Sequence, residues 1–220
     1  MRKSPCAVRL RSLPNDRYRE KERHASCRTR FRSAASFSIC FMVTIRPSHD
    51  EDLAAITKIY SHYVLHSTCT LEMTPPTIDE MARRRADVLH QRLPYLVAEH
   101  AGSIIGYAYC SQFKPRAAYR FSVESSIYLA VHRCGEGIGH QLLQALMHEA
   151  ERLGIRKMIA CIGDATNERS IRLHRAAGFT SAGTMKSCGW KFNRWLDVLF
   201  MDKAIGQGDT TAPDLASEDA

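Results

Sequence analysis

Apolar side chains recur at three- and four-residue intervals in four segments, which predicts four amphipathic helices. A capping box of Ser48 and Glu51 precedes the first helix, and Thr77 with Glu80 forms the same signal before the second. The third and fourth segments are followed by glycine, which often ends helices. The predicted helical segments are Leu53 to Val64, Thr77 to the residue before Pro94, Gly137 to Leu153, and Asn167 to Ala177.

Short apolar runs between these segments predict seven strands. Four residues, His100-Ala101-Gly102-Ser103, join two of the runs and indicate a hairpin. The predicted strands are 43–45, 95–99, 104–110, 121–131, 157–162, 179–187 and 195–202. The order β-α-α-β-β-β-α-β-α-β-β predicts an α/β fold, with a mixed sheet flanked by helices, in one domain over 42–203.

The two ends of the chain lack this patterning. Residues 1–41 hold 11 Lys and Arg against 3 Asp and Glu, which accounts for the whole net charge of +8. Three hypotheses fit this extension: a disordered arm that binds nucleic acid or anionic surfaces, a transit peptide, or a start assigned too early, with Met42 as the working start. Residues 204–220 carry four acids and no base and predict a disordered acidic tail.

Composition narrows the class of protein. No run approaches the roughly 18 apolar residues of a membrane-spanning helix, so no membrane role is expected. The eight cysteines are too widely spaced for the usual zinc or redox pairs, which predicts free thiols in the cytoplasm and no metal. Nucleic acid is not an expected partner, because residues 42–220 hold 20 basic and 20 acidic side chains.

The segment after the fourth predicted strand carries the clearest chemical signal. Residues 134–139 read Cys-Gly-Glu-Gly-Ile-Gly and run directly into the third helix. Alternating glycines let backbone N–H groups turn inward, and the helix dipole adds to their attraction for phosphate oxygens. The Gly-Lys-Ser/Thr ending of a Walker loop is absent, and the spacing differs from the Rossmann pattern. From the residues alone, a tight structural turn remains the alternative.

Together with "NERSIRLHRAAGF", this layout resembles the GNAT superfamily of acyl-CoA N-acetyltransferases. The resemblance is closest to the phosphinothricin-type amino-acid N-acetyltransferases. It is carried by "TIRPSHDEDLAAITKIYSHYVLHSTCTLEMTPP", "PYLVAEHAGSIIGYAY", "FKPRAAYRFSVESSIYL", "IGDATNERSIRLHRAAGF" and "GWKFNRWLDVLFM", which together span nearly all of 43–203. The family usually has Arg or Gln before the first loop glycine, where this chain has Cys134, so one side-chain contact to coenzyme A is expected to be missing.

The resemblance implies acetyl-CoA as co-substrate. It assigns the pyrophosphate to the glycine loop, the pantetheine arm to the backbone of the fourth strand, and the coenzyme A amides to Asn167. One strand N–H would polarise the thioester carbonyl as an oxyanion hole does. The expected cofactor-binding residues are Ile127, Tyr128, Leu129, Gly135, Glu136, Gly137, Ile138, Gly139, His140, Asn167 and Ser170.

Two residues are candidates for proton transfer. Glu124 lies inside an apolar strand, where spacing alone allows a solvent-facing side chain or a pair with Arg120. The resemblance implies instead that it is the general base that deprotonates the substrate ammonium, a role for which burial would raise its pKa suitably. His174 is either a structural histidine or, as the resemblance implies, the acid that protonates the departing thiolate.

Substrate specificity is expected in the basic, aromatic loop "QFKPRAAYRF", whose cations would hold the carboxylate of an amino acid. An ordinary solvated loop is the alternative. The expected substrate-binding residues are Leu71, Glu72, Phe113, Lys114, Arg116, Tyr119 and Arg120. The resemblance also implies that "GWKFNRWLD" lines the active site and helps to form a homodimer, although its aromatic residues also fit a core.

The sequence therefore predicts a homodimeric enzyme that acetylates the α-amino group of a small amino acid by direct transfer. Phosphinothricin, methionine sulfoximine and methionine sulfone are the implied substrates. Two alternatives remain open: a GNAT enzyme for polyamines or protein N-termini, and a non-catalytic sensor of coenzyme A. The basic loop argues against a polyamine, and the presence of both Glu124 and His174 argues against a sensor.

Overall fold

The computed structural model describes residues 42–213. The basic extension expected over 1–41 and residues 214–220 lie outside the described residues. Over 42–213 the helices and strands follow the predicted order. The strands are β1 Thr44–Pro47, β2 Tyr95–His100, β3 Ser103–Gln112, β4 Ser122–Leu129, β5 Lys157–Ile162, β6 Thr180–Lys191 and β7 Arg194–Ala204. The helices are α1 Leu53–His66, α2 Ile78–His90, α3 Ile138–Arg152 and α4 Glu168–Ala176.

The seven strands form one mixed sheet in the order β1-β2-β3-β4-β5-β7-β6. All neighbouring pairs are antiparallel except β4 and β5. Because β4 and β5 run in the same direction, the chain between them must cross over the sheet, and α3 makes that crossover. The prediction of a mixed sheet flanked by helices is confirmed, and the sheet is mostly antiparallel.

The parallel pair separates part-way along its length. Pairing runs from Ser122↔Lys157 to Ser125↔Ala160 and stops there, although β4 continues to Leu129 and β5 to Ile162. The ends of the two strands therefore leave an opening in the sheet. This opening places the candidate site.

Helices cover both faces of the sheet. On one face, Tyr60 of α1 packs edge-on against Tyr128 of β4, with 5.0 Å between ring centroids. On the other face, Leu142 of α3 lies against Gly106, where a Cβ would come within 3.3 Å of its side chain. Residues 128 and 129 point to opposite faces of β4, so the two helix layers enclose separate parts of one core.

The helix starts agree with the predicted caps in one case and differ in the other. The Thr77 side chain accepts a hydrogen bond from the Glu80 backbone N–H, as predicted for α2. The predicted box of Ser48 and Glu51 is wrong by one residue, because the Asp52 carboxylate accepts the His49 backbone N–H at 2.7 Å. The pairs 48/51 and 49/52 both have the three-residue spacing of a capping box, so the sequence alone does not decide which pair forms it.

The last two strands are longer than predicted and form a continuous hairpin. Phe192 and Asn193 both have positive φ, of 51° and 56°, as a two-residue hairpin turn requires. Beyond β7, Ile205 is buried, and Arg156 donates to the carbonyl oxygens of Gly208 and Ala212. The first part of the segment expected as a tail therefore contacts the domain. Within 42–213, no helix is long and apolar enough to cross a membrane.

Candidate active site

A cleft of about 740 Å³ opens where β4 and β5 separate. Its walls are the ends of the two strands, the start of α3 and one side of α4. Ten of the predicted cofactor or catalytic residues line it, which means that the fold brings distant parts of the sequence together. These residues are Ile127, Tyr128, Leu129, Gly135, Gly137, Gly139, His140, Asn167, Ser170 and His174.

The backbone of β4 forms one edge of this cleft. Ala130 N–H donates to Ile105 of β3 at 2.8 Å, and hydrogen-bonding direction alternates along a strand. The backbone groups of Ile127 and Leu129 therefore point away from β3, towards the cleft, where β5 no longer pairs with them. Those of Tyr128 face β3. The Leu129 carbonyl oxygen accepts from the Tyr63 hydroxyl at 2.7 Å. The free edge of β4 therefore consists mainly of the N–H groups of Ile127 and Leu129 and the carbonyl of Ile127.

The glycine loop lies at the N-terminal end of α3. Gly135 and Gly137 have φ angles of +94° and +82°, which side chains other than glycine rarely adopt. A Cβ at Gly139 would lie 3.5 Å from the side chains of Leu129 and Leu173, which is ordinary van der Waals contact, so the helix start lies close to both the strand and α4. Strand edge, glycine loop and helix N-terminus thus face one cavity with their N–H groups.

Two predicted loop residues do not reach the cleft. Ile138 is buried in the core, and Glu136 forms an ion pair with Arg133, at 2.8 Å from Nη2 to the carboxylate. Arg133 is therefore occupied and does not line the cleft. Cys134 does line it, at the position where the resemblance led us to expect Arg or Gln.

Glu124 is half-buried on β4, beside this cleft rather than in its wall. Burial raises the pKa of its carboxyl group above the ordinary 4.5, and the charge of Lys114 opposes that shift. Glu124 shares its face of the sheet with Tyr109 and Ser126, since these residues alternate along paired strands. It also raises the pKa of Cys161, which burial raises first, so the carboxylate lies near a thiol that lines the cleft.

Of the basic, aromatic loop, only Lys114 is shown to interact with Glu124. Its ammonium lies 5.1 Å from the Phe113 ring centroid, and Phe113 packs edge-on against Tyr119 at 5.9 Å. Arg120 instead lies over Phe121 and lines a separate cleft beside the α2–β2 connection. Arg116 is exposed at the start of the turn. The predicted alternative of a pair between Glu124 and Arg120 is not observed.

Glu72 is held by a defined hydrogen-bond network. Its carboxylate accepts from the Tyr60 hydroxyl at 2.8 Å and from Arg84 at 2.6 Å. The pKa of Tyr109 is raised, first by burial and further by the charges of Glu124 and Glu72. Both carboxylates therefore act on the Tyr109 phenol through their charge. We call the region around Glu72, Tyr109, Lys114 and Glu124 the acceptor pocket.

His174 is buried on α4 with an asymmetric environment. Its Nδ1 lies 2.8 Å from the Ser170 carbonyl oxygen, so Nδ1 carries the proton and donates there. Its Nε2 is buried and has no hydrogen-bond partner within 42–213. Burial lowers the pKa of His174 below the ordinary 6.5, and the Ser170 carbonyl partly opposes this. Both observations favour a neutral ring whose Nε2 is an acceptor.

Asn167 caps α4. Its side-chain oxygen accepts from the Ser170 backbone N–H at 3.2 Å, and its amide nitrogen donates to the sulfur of Cys69 at 3.4 Å. Asn167 therefore caps the N-terminus of α4 and lines the cleft at the same time.

With this geometry established, comparisons with known proteins identify the family. A family model described as an acetyltransferase (GNAT) domain matches residues 45–200. The chain belongs to the GNAT acetyltransferase family. A solved structure of a GNAT superfamily phosphinothricin acetyltransferase from Sinorhizobium meliloti, in complex with AcCoA, superposes with a TM-score of 0.77 at 46% identity. The superposition covers 79% of this chain and 94% of that one.

Curated relatives agree with that assignment. A phosphinothricin N-acetyltransferase of Alcaligenes faecalis is 46% identical over 171 residues, covering 78% of this chain and 87% of the relative. An L-methionine sulfoximine/L-methionine sulfone acetyltransferase of Salmonella typhimurium is 39% identical over 173 residues, covering 78% and 99%. The predicted resemblance is confirmed.

Several residues of this GNAT site are not among the sequence predictions. Tyr63 holds the β4 edge, Arg169 and Arg172 line the cleft from α4 without an ion pair within 42–213, and buried Lys191 contacts the connection between α1 and α2. In the sequence, Tyr63 has the pattern of a core position of α1. Arg169 and Arg172 have the pattern of the solvent-exposed face of α4. The sequence signal for Lys191 is a charged residue between two aromatic ones, Trp190 and Phe192.

Thiols and potential metal ligands complete the description of the site. Five cysteines within 42–213 are free, and Cys69, Cys134 and Cys161 line the cleft. No group of three or more His, Cys, Asp or Glu side chains in the same range is placed to hold a metal ion. Besides backbone N–H groups and these thiols, the cleft is lined by the carboxylate of Glu168 and by the cations of Arg169 and Arg172.

The environment of His174 generates a direct test. Because burial lowers its pKa, we expect His174 to be neutral at pH 7, with the proton on Nδ1 and a pKa below 6.5. Nitrogen-resolved NMR of the imidazole rings measures both properties, and the spectrum of His174→Gln identifies the resonance. A charged His174 ring at pH 7, or a proton on Nε2, would contradict this expectation.

Proposed function

We propose that this GNAT enzyme transfers the acetyl group of acetyl-CoA directly to the α-amino group of a small amino acid of the phosphinothricin or methionine sulfoximine type. The observation that carries the proposal is the position of Glu124. A half-buried carboxylate with a raised pKa stands beside the free edge of β4, between the cleft and a pocket of mixed charge.

The cleft has the chemistry that acetyl-CoA requires. N–H groups of the glycine loop and the α3 N-terminus suit the pyrophosphate oxygens, and Arg169 and Arg172 add positive charge on the opposite wall. The amides of the pantetheine arm match the free backbone groups of Ile127 and Leu129. Arg169 and Arg172 thus supply positive charge that offsets the missing side-chain contact between Cys134 and coenzyme A.

The acceptor pocket suits a zwitterion. Lys114 has no ion pair within 42–213, and its ammonium is available for a substrate carboxylate. Glu124 and Glu72 supply negative charge for the substrate ammonium, but Arg84 already neutralises Glu72. Glu124 is therefore the carboxylate that accepts the proton. A polyamine, which carries no carboxylate, would leave Lys114 facing another cation.

The transfer itself needs one proton removed and one returned. Glu124 takes a proton from the ammonium, the amine nitrogen attacks the thioester carbonyl, and the C–N bond forms as the C–S bond breaks. A free N–H of β4 stabilises the charge on the carbonyl oxygen. A neutral His174 with no proton on Nε2 is a poor acid, so we assign protonation of the thiolate to water rather than to His174.

The first experiment measures acetyl-CoA-dependent thiol release with purified full-length protein. The panel holds phosphinothricin, methionine sulfoximine, methionine sulfone, spermidine and a peptide with a free N-terminus. We expect turnover with the first three, and a loss of kcat/KM of about 10² to 10⁴ in Glu124→Gln, as for removal of a general base.

The remaining results of the panel would redirect the proposal. Turnover only with spermidine or the peptide would keep the GNAT chemistry and overturn the substrate. Binding of acetyl-CoA without turnover of any amine would favour the non-catalytic sensor. A mutant as active as the wild type would remove Glu124 from the base role.

The interaction between Lys114 and Glu124 predicts a shift in pH dependence. The base form of Glu124 is lost as the pH falls through its raised pKa, so kcat/KM should decline on the acid side at a pH above 4.5. Lys114 lowers that pKa, and its removal in Lys114→Met should move the acid limb to higher pH. Lys114→Arg, which keeps the charge, is the control. An acid limb unchanged in Lys114→Met would contradict the coupling.

We further propose that the enzyme is a homodimer that uses the β6–β7 hairpin. Trp190, Phe192 and Trp195 are 51%, 51% and 61% exposed, which excludes the alternative that they are core residues. The two tryptophans pack edge-on across the strands with 5.2 Å between centroids. Exposed aromatic clusters of this kind are typical of protein interfaces. An interface at this hairpin would also explain why the "GWKFNRWLD" segment resembles the family. A cytoplasmic location remains a proposal supported by the free thiols.

Light scattering on a size-exclusion column tests this assembly. The wild type should have twice the mass of the chain, and Trp195→Asp should be monomeric with an unchanged circular dichroism spectrum. Leu153→Asp alters a residue exposed at the end of α3 and should remain dimeric. A monomeric wild type at assay concentrations would refute the proposal.

A further inference from the structure

Lys191 is the least expected charge in the fold. It lies on β6, is 2% exposed, and has no carboxylate partner within 42–213. Its ammonium donates instead to the backbone carbonyl oxygens of Ser67 and Thr70, both at 2.8 Å. Burying an ammonium is costly, so a position that retains one needs compensating contacts. Both of its hydrogen bonds go to the connection between α1 and α2, and its Nζ lies 5.1 Å from the centroid of the Phe192 ring.

The strand opposite Lys191 holds the same connection by a second route. Arg194 of β7 is its cross-strand partner and donates to Asp164 at 2.7 Å. The other donor to that carboxylate oxygen is the Thr68 hydroxyl, at 2.8 Å. Burial alone would raise the pKa of Asp164, but hydrogen bonds from Thr166, Thr68 and Arg194 outweigh it and bring the pKa to about 2. Asp164 is therefore charged at neutral pH and holds both donors.

Glycines let the connection approach this closely. A Cβ at Gly163 would lie 2.9 Å from the Thr68 carbonyl oxygen, and one at Gly189 would lie 2.8 Å from Leu71 Cδ1. Both contacts are shorter than real Cβ contacts. Residues 67–72 are thus seated on β5 and β6 by space as well as by hydrogen bonds. We call residues 67–72 the docked loop.

The docked loop contributes to both halves of the site. Cys69 lines the acetyl-CoA cleft, and Glu72 bounds the acceptor pocket, where Tyr60 and Arg84 hold it. A shift of this loop would move the acceptor wall relative to Glu124. Glu72, at the end of the docked loop, is held by Tyr60 of α1 and Arg84 of α2. The β6–β7 hairpin holds the beginning of the loop, through Lys191.

We propose that Lys191 is a positioning residue that fixes the docked loop, and with it the Glu72 wall of the acceptor pocket, to the β6–β7 hairpin. Lys191 touches no reacting atom and acts through Ser67 and Thr70. Because the same hairpin carries the exposed tryptophans, assembly and acceptor geometry share one element. This inference rests on the proposed function for its kinetic readout only.

The test compares Lys191→Met with Lys203→Met in the full chain. Met keeps the length of the side chain and removes the ammonium, which leaves the two carbonyl oxygens unpaired. Lys203 is the matched control, since it lies on the same hairpin and donates to the Ala177 carbonyl oxygen, away from the docked loop. The measurements are KM for the amino-acid acceptor, KM for acetyl-CoA, and the rate of Cys69 alkylation by iodoacetamide, resolved by peptide mass spectrometry.

We expect Lys191→Met to raise the acceptor KM and the alkylation rate of Cys69 by about tenfold or more, as for loss of a buried partner, with little change in the acetyl-CoA KM. Lys203→Met should leave all three near wild type. A Lys191→Met protein that matches the wild type in acceptor KM and Cys69 alkylation overturns the proposal. Equal changes in both KM values, or the same changes in Lys203→Met, also overturn it, because they indicate general loosening.

Thr68→Val keeps the test informative if Lys191→Met lacks a thermal unfolding transition. It removes only the hydroxyl that binds Asp164 and should produce the same pattern with a smaller amplitude; no change in acceptor KM or in Cys69 alkylation would overturn the proposal. The alkylation rate needs no substrate, so it tests the docked loop even if no amine on the panel is acetylated. Failure of the proposed function and failure of this inference are thereby distinguished.

Discussion

The site depends on a single constraint, the separation of the parallel strands β4 and β5. Their pairing stops at Ser125↔Ala160, and β4 then continues for four residues with one edge of its backbone unpaired. Unpaired N–H groups are strong donors, and a cleft that leaves them open is prepared for a ligand with amide and carbonyl groups. The α3 crossover that a parallel pair requires brings the glycine loop to the same opening.

Electrostatics divides the site into two parts with different chemistry. The cleft presents N–H groups, a helix N-terminus and the α4 arginines, which together suit phosphates. The acceptor pocket places Lys114 against Glu124, and burial keeps the pKa of that carboxyl group raised despite the nearby charge. The raised pKa suits the base role that we propose for Glu124, at the boundary between the two parts, where a thioester and an amine would meet.

The β6–β7 hairpin connects this chemistry to the surface. Lys191 and Arg194 face one another across the hairpin and hold the docked loop by separate bonds, one set to carbonyl oxygens and one to Asp164. At the same end, Trp190 and Trp195 are exposed. A buried ammonium in such a place contributes position more than stability, since its desolvation offsets much of what its hydrogen bonds supply.

The sequence by itself determined the order of strands and helices and the glycine loop, because periodicity and turn chemistry are local, and its motifs indicated the family by resemblance. The sequence also indicated the Thr77 cap of α2 and the glycines that end α3 and α4. Only the tertiary structure decided where β4 and β5 separate, that Arg120 and Arg133 face away from the site, and that His174 is buried with Nδ1 bound to Ser170. Only the tertiary structure also brought Lys191 to a loop 121 residues away along the chain. Spacing along the chain records which face a side chain shares with its neighbours, whereas its partners and its desolvation depend on segments that meet only in the folded protein.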